Sequence, residues 1–258
     1  MKVITLETAK ELYVEVNPER SLDSLVLSEK VKPLINELVD EQKRAELLHA
    51  YNISPRNKIL LTGPQGNGKT TLVEAIALEL MCPLIVVRYE SLIGSNNRET
   101  LLRIKVLVDH VRSQRCVLFF DDVEILEVLL QFNTLRRFLD ELPDYVVIAA
   151  ASNYSELNIC WRFQLRIELL KPNHSRLVSF VRLIKSRCNL DFDIDNRILA
   201  QYLIGRGFSF AELEEFFLSI ARSAILNKSI NTKALFFQQL NHRFGEVLKK
   251  ARTENEDN

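Results

Sequence analysis

Several things this sequence lacks narrow what it can be. Neither charge is in excess: Lys plus Arg and Asp plus Glu each number 34. The broad basic field of a dedicated nucleic-acid binder is therefore missing, although a local patch can hide inside a zero sum. The four cysteines, Cys82, Cys116, Cys160 and Cys188, lie far apart with no CxxC pair, which argues against a zinc site or a disulfide framework and fits a reducing, cytoplasmic setting. His49, His110, His174 and His242 are scattered without ligand spacing, so surface or capping roles are expected of them rather than metal binding. No apolar run approaches the roughly 20 residues of a membrane span, and the opening MKVITLETAKELYVEV has no apolar signal core, so a soluble chain that is not exported is expected. Glycine is scarce too, seven in 258 residues, yet three of the seven fall at positions 63, 66 and 68.

What is present can build one large core, or one core with a small satellite: 47% of the residues are hydrophobic. Residues 1–20 read as an N-terminal extension and 253–258 as a polar tail expected to fray. From Ser28 the apolar positions Val31, Leu34, Ile35, Leu38 and Val39 recur with a helix period, with Ser28 as the N-cap and Pro33 in the tolerated first turns. Strands are then predicted at 58–62, 84–89, 116–120, 145–151 and 166–169, alternating with helices after residue 69, at 99–112 and at 126–142. Strands apolar on both faces that alternate with helices imply a parallel sheet covered on both sides. After Pro172 only helical patterns follow, at about 174–187, 195–203, 209–226 and 232–252. The expected fold is thus α/β, a five-stranded parallel sheet in an αβα sandwich over residues 21–172, with a small all-α domain over 173–252.

The glycine cluster carries the first chemistry. Residues 63–70 read GPQGNGKT, the pattern GxxxxGK[ST], directly after a predicted strand and at the start of a predicted helix. Gly63, Gly66 and Gly68 let the backbone through Pro64, Gln65 and Asn67 curl so that the loop's amides surround an anion, and the helix opening at Lys69, Thr70 and Thr71 adds partial positive charge. Lys69 would set a point charge on the outer phosphates of a nucleotide, and Thr70 would offer its hydroxyl to Mg2+.

An apolar strand ending in two acids, VLFFDDVE at 117–124, supplies the second element. In a doubly wound sheet ligands sit at the carboxyl ends of strands, so Asp121 would lie beside the loop and hold Mg2+ through water, while Asp122 orients or deprotonates the attacking water. A strand that simply ends in solvated acids is the bland alternative; the neighbouring phosphate loop tips the balance to the metal role for Asp121. Glu124 reads as a solvated residue at a helix start rather than as a catalytic base. A third buried strand, VVIAAASNY, ends on Asn153, either a turn residue or a hydrogen-bonding sensor of the terminal phosphate. Nine positions later, WRFQLRIEL carries Arg162 and Arg166. Either is ordinarily a surface charge, yet Arg162 pointing out of one subunit could reach phosphates bound by the next.

Taken in order, GPQGNGKT, VLFFDDVE, VVIAAASNY, WRFQLRIEL and GFSFAELEEFFLSIARSAI at 207–225 resemble the AAA ATPases, over about residues 21–227. The resemblance implies a P-loop ATPase with a helical lid. In that family the first four are Walker A, Walker B, sensor 1 and the arginine-finger region, and the backbone around Val26 and Leu27 would contact adenine. It further implies ATP and Mg2+ as ligands, a homo-oligomeric ring, hexameric in the family, and a protein partner that the ring remodels or regulates. The stretch RYESLIGSNNRETLLRIK, with CVLFFDDVE and WRFQLRIEL, is similar to a bacterial subgroup encoded beside a subtilisin-like serine protease and associated with plasmid maintenance or phage defence. Four departures stand out. Asp122 replaces the usual Glu and is one methylene shorter, which bears on how well water is held. Trp161 stands where most of the subgroup has a second arginine. The loop SNNRE after Gly94 lacks the aromatic residue that grips threaded polypeptide. Ala211 stands where some relatives outside the AAA branch carry a sensor arginine. Two other readings stay open: a nucleotide-gated binding module with little turnover, motivated by Asp122 and that polar loop, and a DNA-associated loader, which the neutral charge disfavours.

Overall fold

The computed structural model describes residues 10–125, 137, 139–154, 163–188, 194–226 and 232–243. Two compact units divide the chain, Met1–Leu170 and Lys171–Asn258.

The first unit is built on six strands: β1 (Tyr13–Val16), β2 (Lys58–Thr62), β3 (Leu84–Val87), β4 (Cys116–Phe120), β5 (Val146–Ser152) and β6 (Leu165–Glu168). Their spatial order is β1-β3-β4-β5-β2-β6. The five strands from β3 to β6 in that order run parallel. The sixth is a correction to the expected five-stranded sheet: β1, inside what reads as an extension, pairs antiparallel with β3, Tyr13 opposite Val87 and Val16 opposite Leu84. Four residues with no flanking turn signal give too little periodicity to be seen; the exposed edge of β3 supplies the partner that makes them a strand.

Why the central strands read as continuous apolar runs is visible in the layers. In β4, Cys116, Leu118 and Phe120 enter one core cluster, with Leu107, Val108 and Val111. Val117 and Phe119, pointing the other way, enter a second cluster with Ile35, Leu38, Leu72 and Ile76. All five residues of β4 are buried, and each large one among them contributes about 1.5–3 kcal/mol on leaving water. The helices that cover the faces are α1 (Val31–Lys43), α2 (Ala45–Ala50), α3 (Lys69–Glu79), the one-turn α4 (Tyr89–Leu92) and α5 (Asn97–Arg112). The first predicted helix breaks at Arg44, where φ is −112° and ψ 28°. Its start is held by Ser28, whose Oγ accepts from Val31 N at 3.3 Å. The helix expected over 126–142 lies almost wholly outside the described residues.

The loop after β3 is tightly bonded. Asn96 caps α5 by accepting from Glu99 N at 3.0 Å. Glu99 in turn accepts from Ser95 N and Ser95 Oγ at 2.9 and 2.7 Å and from Arg103 Nη2 at 2.7 Å. Arg103 Nη1 donates to the carbonyls of Ser91 and Ile93.

The second unit is helical: α6 (His174–Cys188), α7 (Asn196–Leu203), α8 (Phe210–Leu226), and residues 232–243. A capping box opens α8, Ser209 N and Oγ both donating to Glu212 Oε2 at 2.8 Å while Glu212 N donates back to Ser209 Oγ at 3.3 Å. Aromatic packing fills the interior, with Phe216 edge-on to Phe217 and to Phe236 at centroid distances of 5.6 and 5.5 Å.

Candidate functional site

The carboxyl ends of β2, β4 and β5, three neighbours in the parallel sheet, bring together Gly63–Thr71, Asp121–Glu124 and Asn153. The loop between β2 and α3 turns on left-handed backbone, with φ of +128° at Gly63, +77° at Gly66 and +87° at Gly68. Gly63 has a second reason to be glycine: a Cβ there would stand 2.3 Å from the carbonyl oxygen of Leu169, because Leu169 N bonds Thr62 O at 2.7 Å and carries the chain past β2. Gly63→Ala must displace that backbone and adopt a disfavoured φ, so thermal unfolding should reveal a loss of about 3 kcal/mol.

Lys69, first residue of α3, is 7% exposed. Its ammonium spends its three donors on Gly63 O (2.7 Å), Pro64 O (3.3 Å) and Asn153 Oδ1 (2.9 Å). Burial draws its pKa below the ordinary lysine value, against the pull of Asp121, Asp122 and Glu124. A polyanion offers this ammonium better acceptors than two loop carbonyls and an amide. Asn67, 5% exposed, adds a buried side-chain amide whose nitrogen and oxygen have no partner among the described residues.

Thr70 Oγ1 donates to Asp121 Oδ2 at 2.9 Å. Burial raises the Asp121 carboxyl above its usual range; the Thr70 bond opposes this and the Asp122 charge adds to it. A hydroxyl and a carboxylate in contact, oxygen donors only, fit a small hard cation such as Mg2+, which takes one or two protein oxygens and completes its shell from phosphates and water.

Asn153 joins the two halves. It accepts from Lys69 through Oδ1, and its Nδ2 donates to Asp122 Oδ1 at 2.8 Å. Asp122 sits at φ +50°, in a turn held to β5 by Val123 N donating to Ala151 O at 2.8 Å. Reading Glu124 as solvated is corrected: it does open a helical turn, but the reversal at Asp122 folds it back so that Oε1 accepts from Asn153 N at 3.2 Å, and Oε2 is buried. A positive φ at a non-glycine residue leaves no mark in a sequence, so nothing in VLFFDDVE signals this return. Pro64, Gln65 and Thr70 are exposed along the loop, and Thr71 is half-buried. Arg166 lies exposed on β6. Arg162, Trp161 and Cys160 fall outside the described residues. Among the described residues no cluster of three or more His, Cys, Asp or Glu could hold a metal by itself, and no helix is long and apolar enough to cross a membrane.

Residues 59–170 match the profile of the family described as ATPase family associated with various cellular activities (AAA). An uncharacterised AAA family ATPase of Sinorhizobium fredii is 28% identical over 236 residues, covering 86% of this chain and 70% of that protein. A cell division cycle protein 48 homologue of Archaeoglobus fulgidus is 28% identical over 234 residues, 83% of this chain but 32% of its own length. A putative 26S proteasome regulatory subunit homologue of Methanocaldococcus jannaschii is 24% identical over 243 residues, covering 85% and 64%. The chain therefore spans about a third of the second relative and under two thirds of the third.

Proposed function

We propose, from the match of residues 59–170 to the AAA family profile, that this chain binds and hydrolyses ATP with Mg2+ in an oligomeric ring and uses the cycle to remodel or regulate a partner protein. The observation that carries the reading is the continuous bonded path from Lys69 through Asn153 to Asp122, beside the Thr70–Asp121 contact. Lys69 and the backbone N–H groups of residues 63–71, Pro64 having none, hold the triphosphate. Thr70 and Asp121 hold the magnesium, which when bound offsets charge on the outer phosphates. Asn153 touches both the phosphate-binding ammonium and the acid that orients water, so the presence of the terminal phosphate is felt at Asp122. Arg162 completes the site of the adjoining subunit. The ring is proposed as hexameric and cytoplasmic. The likeness of residues 88–105 to the subgroup encoded beside subtilisin-like serine proteases makes such a protease, in a plasmid-maintenance or phage-defence pair, the first partner to test.

A second reading, a nucleotide-gated module that holds ATP and rarely cleaves it, is favoured by Asp122 being short and already bonded to Asn153. Steady-state phosphate release, run with mass in solution and with and without the candidate protease, separates the two. Turnover near ~1 per second with ATP-dependent assembly is expected of the ATPase and rejects the gate. A species that binds ATP, stays monomeric and releases no phosphate with any partner rejects the ring ATPase.

A further inference from the structure

Among the described residues, two buried polar atoms just past the ends of β3 and β4 have no hydrogen-bond partner: the Tyr89 hydroxyl and Glu124 Oε2. They are complementary, a carboxylate that only accepts and a phenol that donates. Tyr89 opens α4 directly after β3, is 8% exposed, and belongs to the same apolar cluster as Phe120 and Val123, which flank Asp121 and Asp122 in the chain. Burial first, then the charges of Asp121, Asp122 and Glu124, raise the pKa of its hydroxyl. The same three carboxylates act on Lys69. The phenol and the ammonium thus both feel the charge of these three acids.

The three acids are not equally free. Asp121 accepts from Thr70 Oγ1 and from Asp122 N. Asp122 is committed to the Asn153 amide. Glu124 is anchored through Oε1 by Asn153 N, and of the three it alone keeps a buried oxygen without a donor among the described residues. A buried carboxylate oxygen left in that state is costly, and such cost persists where function uses it. Nor is the strained turn at Asp122 explained by the needs of β4 itself; its effect is to bring Glu124 back to the sensor asparagine.

We propose that Glu124 is a catalytic carboxylate, its free oxygen accepting from the attacking water, and that the Tyr89 hydroxyl binds the same water, the pair supplying the reach that Asp122 lacks. This rests on the ATPase reading above. In the step, a water lone pair forms the new bond to the γ-phosphorus, and the bond from that phosphorus to the β–γ bridging oxygen breaks. ADP leaves with the electron pair. One water proton passes to Glu124 and on to solvent, and the other stays on hydrogen phosphate.

Glu124→Gln, Tyr89→Phe and the double variant test it, each measured for affinity toward a fluorescent ATP analogue, for kcat by phosphate release, and for Tm without nucleotide. Glu124→Gln should keep affinity within about threefold, lose about 100-fold in kcat and, with a buried charge removed, gain about 2–4 °C in Tm. Tyr89→Phe should lose about tenfold in kcat at unchanged affinity, and the double variant should be no slower than Glu124→Gln, the mark of two groups acting on one water. Wild-type kcat in Glu124→Gln overturns the proposal, as does a lowered Tm with unchanged kcat, which would make Glu124 an anchor for Asn153. A higher Tm with unchanged kcat in Tyr89→Phe makes its hydroxyl a packing misfit and removes the pair. Should Glu124→Gln fail to fold, Tyr89→Phe decides by the same kcat criterion. Wild-type protein that binds ATP without cleaving it refutes the ATPase reading instead, and so separates that failure from this one.

Discussion

Lys69→Ala protein takes up no measurable ATP: that is the expected result of titrating the variant with Mg2+ and ATP in a calorimeter, with the affinity of the wild type lowered by at least ~100-fold. The argument begins with burial. Lys69 is 7% exposed, so its charge acts in a poorly screened volume, and hydrogen bonds from a charged donor contribute about 1.5–3 kcal/mol each. Two such bonds to the outer phosphates already exceed the roughly 2.7 kcal/mol of a hundredfold change. The alanine has a second effect. Its removal leaves the carbonyls of Gly63 and Pro64 without the donor that draws them inward, so the loop loses its closed shape along with its charge. Lys69→Arg separates the two, since the charge remains while the planar guanidinium cannot copy three tetrahedral donors. Retained affinity in the alanine variant would dismantle the phosphate-loop assignment.

The second large effect is expected at Arg162. Arg162→Ala should bind ATP as the wild type does, yet turn over slower by about 10³-fold or more, because an arginine supplied to a neighbour's phosphates acts on transition-state charge and not on the ground state. Mixing supplies the check. A Lys69→Ala subunit holds no nucleotide but still presents Arg162; an Arg162→Ala subunit holds nucleotide but presents nothing. Mixed rings should therefore regain phosphate release that neither variant has alone. No gain on mixing, with ring assembly verified by mass, would place the arginine's action within its own subunit or remove it altogether.

How much of this is legible without coordinates depends on where each feature gets its energy. The strands Lys58–Thr62 and Cys116–Phe120 have the bounds their apolar runs predict, because burial on both faces of a parallel sheet demands continuous apolar sequence. The helices of the second unit follow for a similar reason, α6, α7 and α8 each starting at or within one residue of the predicted position. Lys69, Thr70, Asp121, Asp122 and Asn153 could be nominated because the C-terminal edge of such a sheet gathers whatever follows its strands. What the sequence hides is set by neighbours. β1 exists only because β3 offers an unpaired edge, and YVEV carries no pattern strong enough to announce it. Glu124 is concealed by a left-handed Asp122, a conformation few residues other than glycine, asparagine and aspartate adopt. Tyr89 would pass for ordinary core until its hydroxyl is found without a partner among the described residues.

The bracing of the Ser95–Arg103 segment has a mechanical corollary. Asn96, Glu99 and Arg103 pin the loop to the first turns of α5 and to the carbonyls before it, so it has no slack to travel on its own. Under the proposed ATPase cycle, a stroke delivered at that surface is the stroke of the whole first unit, as a cam turns with its shaft. A partner of that proposed cycle, pressed against a braced tooth, would be pried or displaced in a single throw rather than hauled along hand over hand.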